Sequence, residues 1–236
     1  MDLAAAGLTE QPFRTKGAPD SIVSYASHVE GLEALRAACA MPHGLALVQG
    51  PPLSGKSTLV RHFVDLRDDN QEGAIVDGTG LNATTLLEAT LSEFGYEADF
   101  DSDNELLSML RVFALHQAAS HQPPLLVVEN THRLNPSALR TLCSLAELKC
   151  IRDNRPVSAL KIVLVSDRSL ESIIEAPAMA PISRRVALTF QMRPMSCDDA
   201  KDYLREKLRQ AGSRIPEYVF PNSVCVELWD ASGGWP

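Results

Sequence analysis

Short apolar runs recur at residues 45–48, 74–76, 125–128, 160–165 and 186–190, and the stretches between them carry apolar residues at helical spacing. Short runs bounded by polar residues suit strands buried on both faces, whereas positions three and four apart form the inner stripe of a helix. Val29, Leu32, Leu35 and Cys39 predict a helix beginning at His28 and ending before Pro42. Further helices are predicted over residues 55–66, 83–94 and 103–119. Asn135-Pro136 supplies an N-cap and a first helical residue, with Leu139, Leu142, Cys143 and Leu145 on the inner face that follows. Five strands separated mostly by helices predict an α/β fold with a five-stranded, mainly parallel sheet between helices.

The rhythm changes after Pro194 and becomes wholly helical. One helix is predicted over residues 197–210, closed by Gly212, and another over 222–231, closed by Gly233-Gly234. Residues 1–27 contain Pro12, Gly17 and Pro19 with little periodicity and read as an irregular lead-in that something else must pin down. The chain thus divides into a lead-in (1–27), an α/β core (28–193) and a helical tail (194–236), without internal repeats or low-complexity tracts.

The 236 residues are 45% apolar and 22% charged, which excludes disorder and collagen-like repeats. No apolar run reaches the roughly eighteen residues a membrane helix needs, and the N-terminus lacks the basic opening of a secretory signal. Five scattered cysteines with no C-x-x-C pair read as reduced, packed thiols. A net charge of −8 argues against a general nucleic-acid coat. The charge is unevenly spread: residues 65–105 hold twelve acids against Arg67 alone, whereas residues 184–214 hold eight bases against four acids. These are either two solvated helix faces or complementary surfaces meeting head to tail in a ring.

The strongest chemical signal is Gly50-Pro51-Pro52-Leu53-Ser54-Gly55-Lys56-Ser57-Thr58, a complete G-x-x-x-x-G-K-S between a predicted strand and a predicted helix. In that context it is a Walker A loop. Its backbone N–H groups and the positive end of the next helix can cradle nucleotide phosphates, Lys56 would reach the β and γ phosphates, and Ser57 would ligate Mg2+.

Hydrolysis depends on the end of the strand at 125–128, where a Walker B pattern places an acid near magnesium and then a carboxylate that activates water. Here those residues are Glu129 and Asn130. Glu129 can still hold a magnesium-bound water, but an amide cannot accept a proton as a carboxylate does. Taking Glu129 as the base instead leaves Val128 on the metal side, so one part is missing either way. Slow hydrolysis is the expectation, with His132 or a group from a neighbouring subunit as a candidate substitute.

With these residues in place the chain resembles the ExeA-type AAA+ ATPases, the general secretion pathway protein A group, over nearly its whole length. Gly7-Leu8-Thr9-Glu10-Gln11-Pro12-Phe13 is similar to the family's G-L-x-x-x-P-F lead-in, and Ser24-Tyr25-Ala26-Ser27-His28 to its S-x-x-H segment. The resemblance implies that the lead-in packs near the nucleotide. It also implies a sensor-1 polar group at Ser166 or Asp167, before Arg168-Ser169-Leu170, and an arginine finger at Arg185 rather than Arg184. Met192-Arg193-Pro194-Met195, the helix ending in Ala211-Gly212 and Ser232-Gly233-Gly234-Trp235-Pro236 resemble the start of the family's helical lid. Lys207 stands where the family has arginine, and the family's sensor-2 arginine would follow Pro236. A trimmed chain with a partial lid is therefore expected, leaving Leu228 and Trp229 poorly covered.

The resemblance implies an ATP- or ADP-binding, Mg2+-dependent subunit acting as a homo-oligomer, with each site completed between subunits. Its partner would be an envelope protein of a secretion, pilus or polysaccharide-export system. Its place would be the cytoplasm, at the inner face of the membrane for a longer parent chain. Two other readings stay open: a nucleotide-held scaffold that barely hydrolyses, for which Asn130 speaks, and a DNA-associated AAA+ regulator, against which the net acidity speaks.

Overall fold

The structure is a computed structural model describing residues 7–13, 22–42, 45–68, 71–97, 102–167, 170 and 175–236. Contacts divide the described residues into two compact units: 33–52 with 66–191, and those of 1–32 with 53–65 and 192–236.

The larger unit holds the sheet. Strands β1 (Leu45–Gln49), β2 (Gly73–Asp77), β3 (Leu125–Glu129), β6 (Lys161–Ser166) and β7 (Val186–Gln191) lie in the order β2-β3-β6-β1-β7, and every neighbouring pair is parallel. Helices α3 (Ala83–Glu93), α4 (Asp103–Ala119) and α5 (Pro136–Ala146) connect and flank it. Strands β1, β3 and β6 are buried along their whole length, which is why their sequences are continuous apolar runs rather than alternating ones. On one face Leu47, Val76, Val128 and Leu164 pack with Leu87, Leu110 and Leu142 of the three helices. Each such side chain contributes about 1.5–3 kcal/mol by leaving water.

Local signals start the helices where the pattern places them. Asn82 and Thr85 form a reciprocal capping box at α3. Pro136 is the first residue of α5, but Asn135 makes no side-chain cap bond and instead donates from Nδ2 to the Gly80 carbonyl at 3.3 Å. The apolar pattern did not reveal the antiparallel hairpin β4 (Lys149–Arg152) and β5 (Arg155–Ser158). Its strands are short and mostly exposed, so no apolar rhythm marks them. The signal was Asp153-Asn154, both left-handed at φ 49° and 59°, as a tight two-residue hairpin turn requires.

The smaller unit contains α2 (Lys56–Asp65), α6 (Cys197–Gln210) and α7 (Asn222–Ser232), while α1 (Ala26–Ala40) begins in it and ends in the larger unit. The described part of the lead-in is pinned to the end of α6: Thr9 donates from N and Oγ1 to the Ala211 carbonyl at 2.8 and 3.0 Å. Gly212 is obligatory there, because its φ is +96° and a Cβ would stand 2.7 Å from Thr9 Oγ1. In α7, Leu228 is exposed as the sequence predicts. Trp229 is half-buried and donates from Nε1 to the Met195 carbonyl at 2.9 Å, so the expectation of a poorly covered Trp229 is corrected.

Candidate functional site

Strand β1 leads into the glycine-rich loop at the carboxyl edge of the sheet. The chain crosses from β1 over two strands to β2, works back through β3 and β6, and then passes β1 to β7, so β1 is the topological switch point where open α/β sheets bind ligands. Gly50 N–H donates to the Ser166 carbonyl at 3.3 Å, extending the ladder one residue beyond the strand.

Within the loop, Leu53 and Gly55 are left-handed at φ 62° and 86°, with α2 starting immediately afterwards at Lys56. Two left-handed residues flanking Ser54 form a backbone concavity suited to anions, and the N-terminus of α2 adds partial positive charge. Leu53 is 84% exposed, as expected of a side chain turned out of such a cradle. Gly55 tolerates no Cβ without strain: beyond its φ, the added carbon would lie 3.1 Å from Tyr25 Oη. Tyr25 in turn donates to the buried Ser54 carbonyl at 3.2 Å, with burial and the nearby Tyr203 pushing its pKa up to about 12. The irregular segment before α1 thus braces the loop.

Lys56 Nζ lies 3.4 Å from Ser54 Oγ, and Ser57 and Thr58 are exposed on the first turn of α2. A left-handed concavity, a helix N-terminus, a lysine and an exposed hydroxyl match the donor set that a nucleoside triphosphate and a hard divalent cation require. In the last turn of the same helix, His62 Nδ1 lies 3.0 Å from His28 Nε2. Burial and the neighbouring His62 pull the His28 pKa down to about 4.

The carboxyl edge of the larger unit gathers Glu129, Asn130, His132, Ser166 and Asp167. Glu129 is buried, and it is the register partner of Asp77 on β2. Asn130, which follows, is left-handed at φ 51° and donates from Nδ2 to Asp77 Oδ1 at 2.9 Å. Thr79 donates to the same oxygen from N at 3.1 Å and from Oγ1 at 2.8 Å. Partial burial works to raise the Asp77 pKa, but hydrogen bonds from Asn130 and Thr79 and the charge of Arg133 outweigh it and hold the carboxyl below its usual value. The two strand ends approach closely enough that a Cβ on Gly78 would stand 2.8 Å from the Glu129 carbonyl.

His132 joins the ends of β3 and β6. Its Nδ1 is 3.1 Å from Ser166 Oγ, and its Nε2 is 3.5 Å from Asp167 Oδ2. Ser166 and Asp167 therefore both meet His132, while Arg168 and Ser169 lie outside the described residues. Arg185 is not brought to this edge: it precedes β7 at the opposite, amino edge of the sheet and donates from Nη1 to the Ala146 carbonyl at the end of α5, where a cation also suits the helix dipole, and Arg184 is exposed. The residue that sequence reasoning missed is Asp77. Its signal was an acid closing the apolar run of β2 just as Glu129 closes that of β3.

A family model described as an AAA domain matches residues 40–174. The general secretion pathway protein A of Aeromonas hydrophila is 26% identical over 231 residues, covering 98% of this chain and 41% of that protein. The chain therefore spans less than half the length of that relative. Among solved structures, Cdc6p of Pyrobaculum aerophilum superposes with a TM-score of 0.66 at 14% identity, over 89% of this chain and 55% of that one. The Aeropyrum pernix ORC2 protein in its ADP form gives 0.64 at 13% identity, over 94% and 67%. Domain III of the Thermotoga maritima replication initiation protein DnaA gives 0.57 at 13%, over 96% and 94%. At such identities these structures establish the fold alone. The family match spans more than half of the chain, on a parallel sheet whose switch-point strand runs into the glycine-rich loop: the chain belongs to the AAA domain family and is an AAA-type ATPase domain related to general secretion pathway protein A.

Proposed function

We propose that the chain binds ATP with Mg2+ at the loop from Gly50 to Thr58 and hydrolyses it slowly, as one subunit of a homo-oligomer. The observation that carries this reading is the left-handed pair Leu53 and Gly55 at the N-terminus of α2, braced by Tyr25. Lys56 neutralises the β and γ phosphates, the Ser57 hydroxyl and the Glu129 carboxylate serve the cation, and Ser166 with His132 senses the terminal phosphate. The cation would screen phosphate charge and polarise the terminal phosphoryl group. Adenine is favoured by the family and by the ADP form of the Aeropyrum pernix relative.

Arg185 acts on the nucleotide of the neighbouring subunit in this proposal, leaving the Ala146 carbonyl when subunits assemble. Likeness to general secretion pathway protein A supports an envelope system as the destination, with the domain working in the cytoplasm beside the membrane. Among the described residues, no helix is long and apolar enough to cross a membrane.

The test is titration with a fluorescent ATP analogue in the presence of Mg2+. The Lys56→Ala variant should lose binding, and an unchanged affinity would overturn the phosphate-loop assignment. A second reading, a nucleotide-held scaffold, is favoured by Asn130, since an amide takes up no proton. Single-turnover hydrolysis measured across protein concentration, together with oligomer mass, separates the two: turnover rising with assembly supports the ATPase, and assembly with tight binding but no turnover supports the scaffold.

A further inference from the structure

The hydrolytic tip lacks a carboxylate at Asn130, yet a carboxylate stands in contact with that amide. Asp77 closes β2 as Glu129 closes β3, the two are register partners, and Asn130 reaches across from the residue after Glu129 to Asp77 Oδ1. Three donors converge on that single oxygen: Asn130 Nδ2, Thr79 N and Thr79 Oγ1. The second oxygen, Oδ2, has no hydrogen-bond partner among the described residues, and the Asp77 side chain is exposed. One oxygen is therefore anchored while the other is open, the arrangement of a carboxylate held in a fixed direction. Asn130 is suited to its part because asparagine adopts the left-handed backbone at lower cost than most residues. With one Nδ2 hydrogen directed to Asp77, the amide oxygen is oriented as well.

The geometry points to Asp77 as the proton acceptor for the attacking water, with Asn130 as the amide that fixes it, the pair acting as one water-activating unit. The inference rests on the ATPase reading above and adds the residue which that reading lacks. In the step, the water oxygen forms a bond to the terminal phosphorus and the bond from that phosphorus to the β–γ bridging oxygen breaks. ADP departs with the electron pair, and the proton released by the water passes to Asp77 and then to solvent, leaving inorganic phosphate. Asp77 and Asn130 lie on the same carboxyl edge of the sheet from which β1 enters the phosphate loop.

Exchange of the two side chains tests the unit. Asp77→Asn should leave ATP affinity unchanged and lower single-turnover hydrolysis by about 100-fold or more, the span of general-base contributions. Adding Asn130→Asp to Asp77→Asn returns a carboxylate to the same hydrogen bond from the other side and should recover at least about tenfold of that loss. Asn130→Asp alone sets two carboxylates against each other and should turn over no faster than the wild-type chain.

A second readout needs no nucleotide: the Asn130 side-chain amide resonance, assigned by its disappearance in Asn130→Asp, should shift in Asp77→Asn. Hydrolysis preserved in Asp77→Asn, an exchanged pair no better than Asp77→Asn, an unshifted amide resonance, or ATP binding without turnover by the wild-type chain would each overturn the inference. These outcomes are distinct from failure of the parent reading, which shows as absent ATP binding by the wild-type chain and overturns both.

Discussion

Gly55 and His28 show how single residues set local geometry in the smaller unit. Gly55 is required twice over, by its φ of +86° and by Tyr25 Oη lying 3.1 Å from any added Cβ. Gly55→Ala should cost about 1–3 kcal/mol of stability through backbone strain and weaken ATP binding, measured by thermal unfolding and by titration. At the His28–His62 contact, one ring nitrogen donates and the other accepts, so protonating the acceptor breaks it. The His28 pKa of about 4 in the folded chain lies below the ordinary 6.5, so between these values the unfolded chain binds more protons. The stability linked to His28 is complete above pH 6.5 and falls as pH drops toward 4, by up to about 3 kcal/mol. Unfolding midpoints taken from pH 7.5 to 5 should show this decline, and His28→Gln should flatten it. An unaltered slope would place the acid sensitivity in other groups.

At the scale of elements, the apolar runs of β1, β3 and β6 were legible because burial on both faces leaves no polar position to interrupt them. The hairpin β4–β5 was not, because exposed strands carry no apolar rhythm and only the Asp153-Asn154 turn specifies them. Close approach of elements sets its own demands. Gly78 is required where β2 and β3 end, since a Cβ would press on the Glu129 carbonyl at 2.8 Å and on Leu134 at 3.1 Å. Gly78→Ala should destabilise the chain by about 1–3 kcal/mol as an overpacked contact does. It should also disturb the Asp77–Asn130 hydrogen bond, so hydrolysis should fall further than stability alone explains. Chemical denaturation and single-turnover assays on the same variant check both parts.

The whole chain carries an acidic segment at residues 65–105 and a basic one at 184–214, and Arg185 lies in the latter. In the single chain Arg185 donates to the Ala146 carbonyl, so truncating it removes a charge-assisted bond worth about 1.5–3 kcal/mol. If Arg185 also serves the neighbouring subunit's nucleotide, Arg185→Ala should lower hydrolysis in the assembly while leaving ATP binding to the monomer intact. Mixing Arg185→Ala with Lys56→Ala should then restore part of the activity, since one variant supplies the phosphate loop and the other the arginine. No recovery in proven mixed oligomers would confine Arg185 to capping α5.

The amino-acid sequence by itself determined the parallel sheet, the glycine-rich loop after β1 and the chemical poverty of Asn130 as a base. These follow from local causes: burial periodicity, turn residues at set spacing, and the functional groups of single side chains. Only the tertiary structure decided which groups meet. Asp77 and Asn130 are 53 positions apart in the chain, and His132 and Ser166 are 34 apart, yet each pair is in contact. The physical reason is strand order: β2 and β6 flank β3, so the residues ending these strands become neighbours at one edge. Nothing in a linear pattern encodes that adjacency, because it depends on where each crossover returns the chain to the sheet.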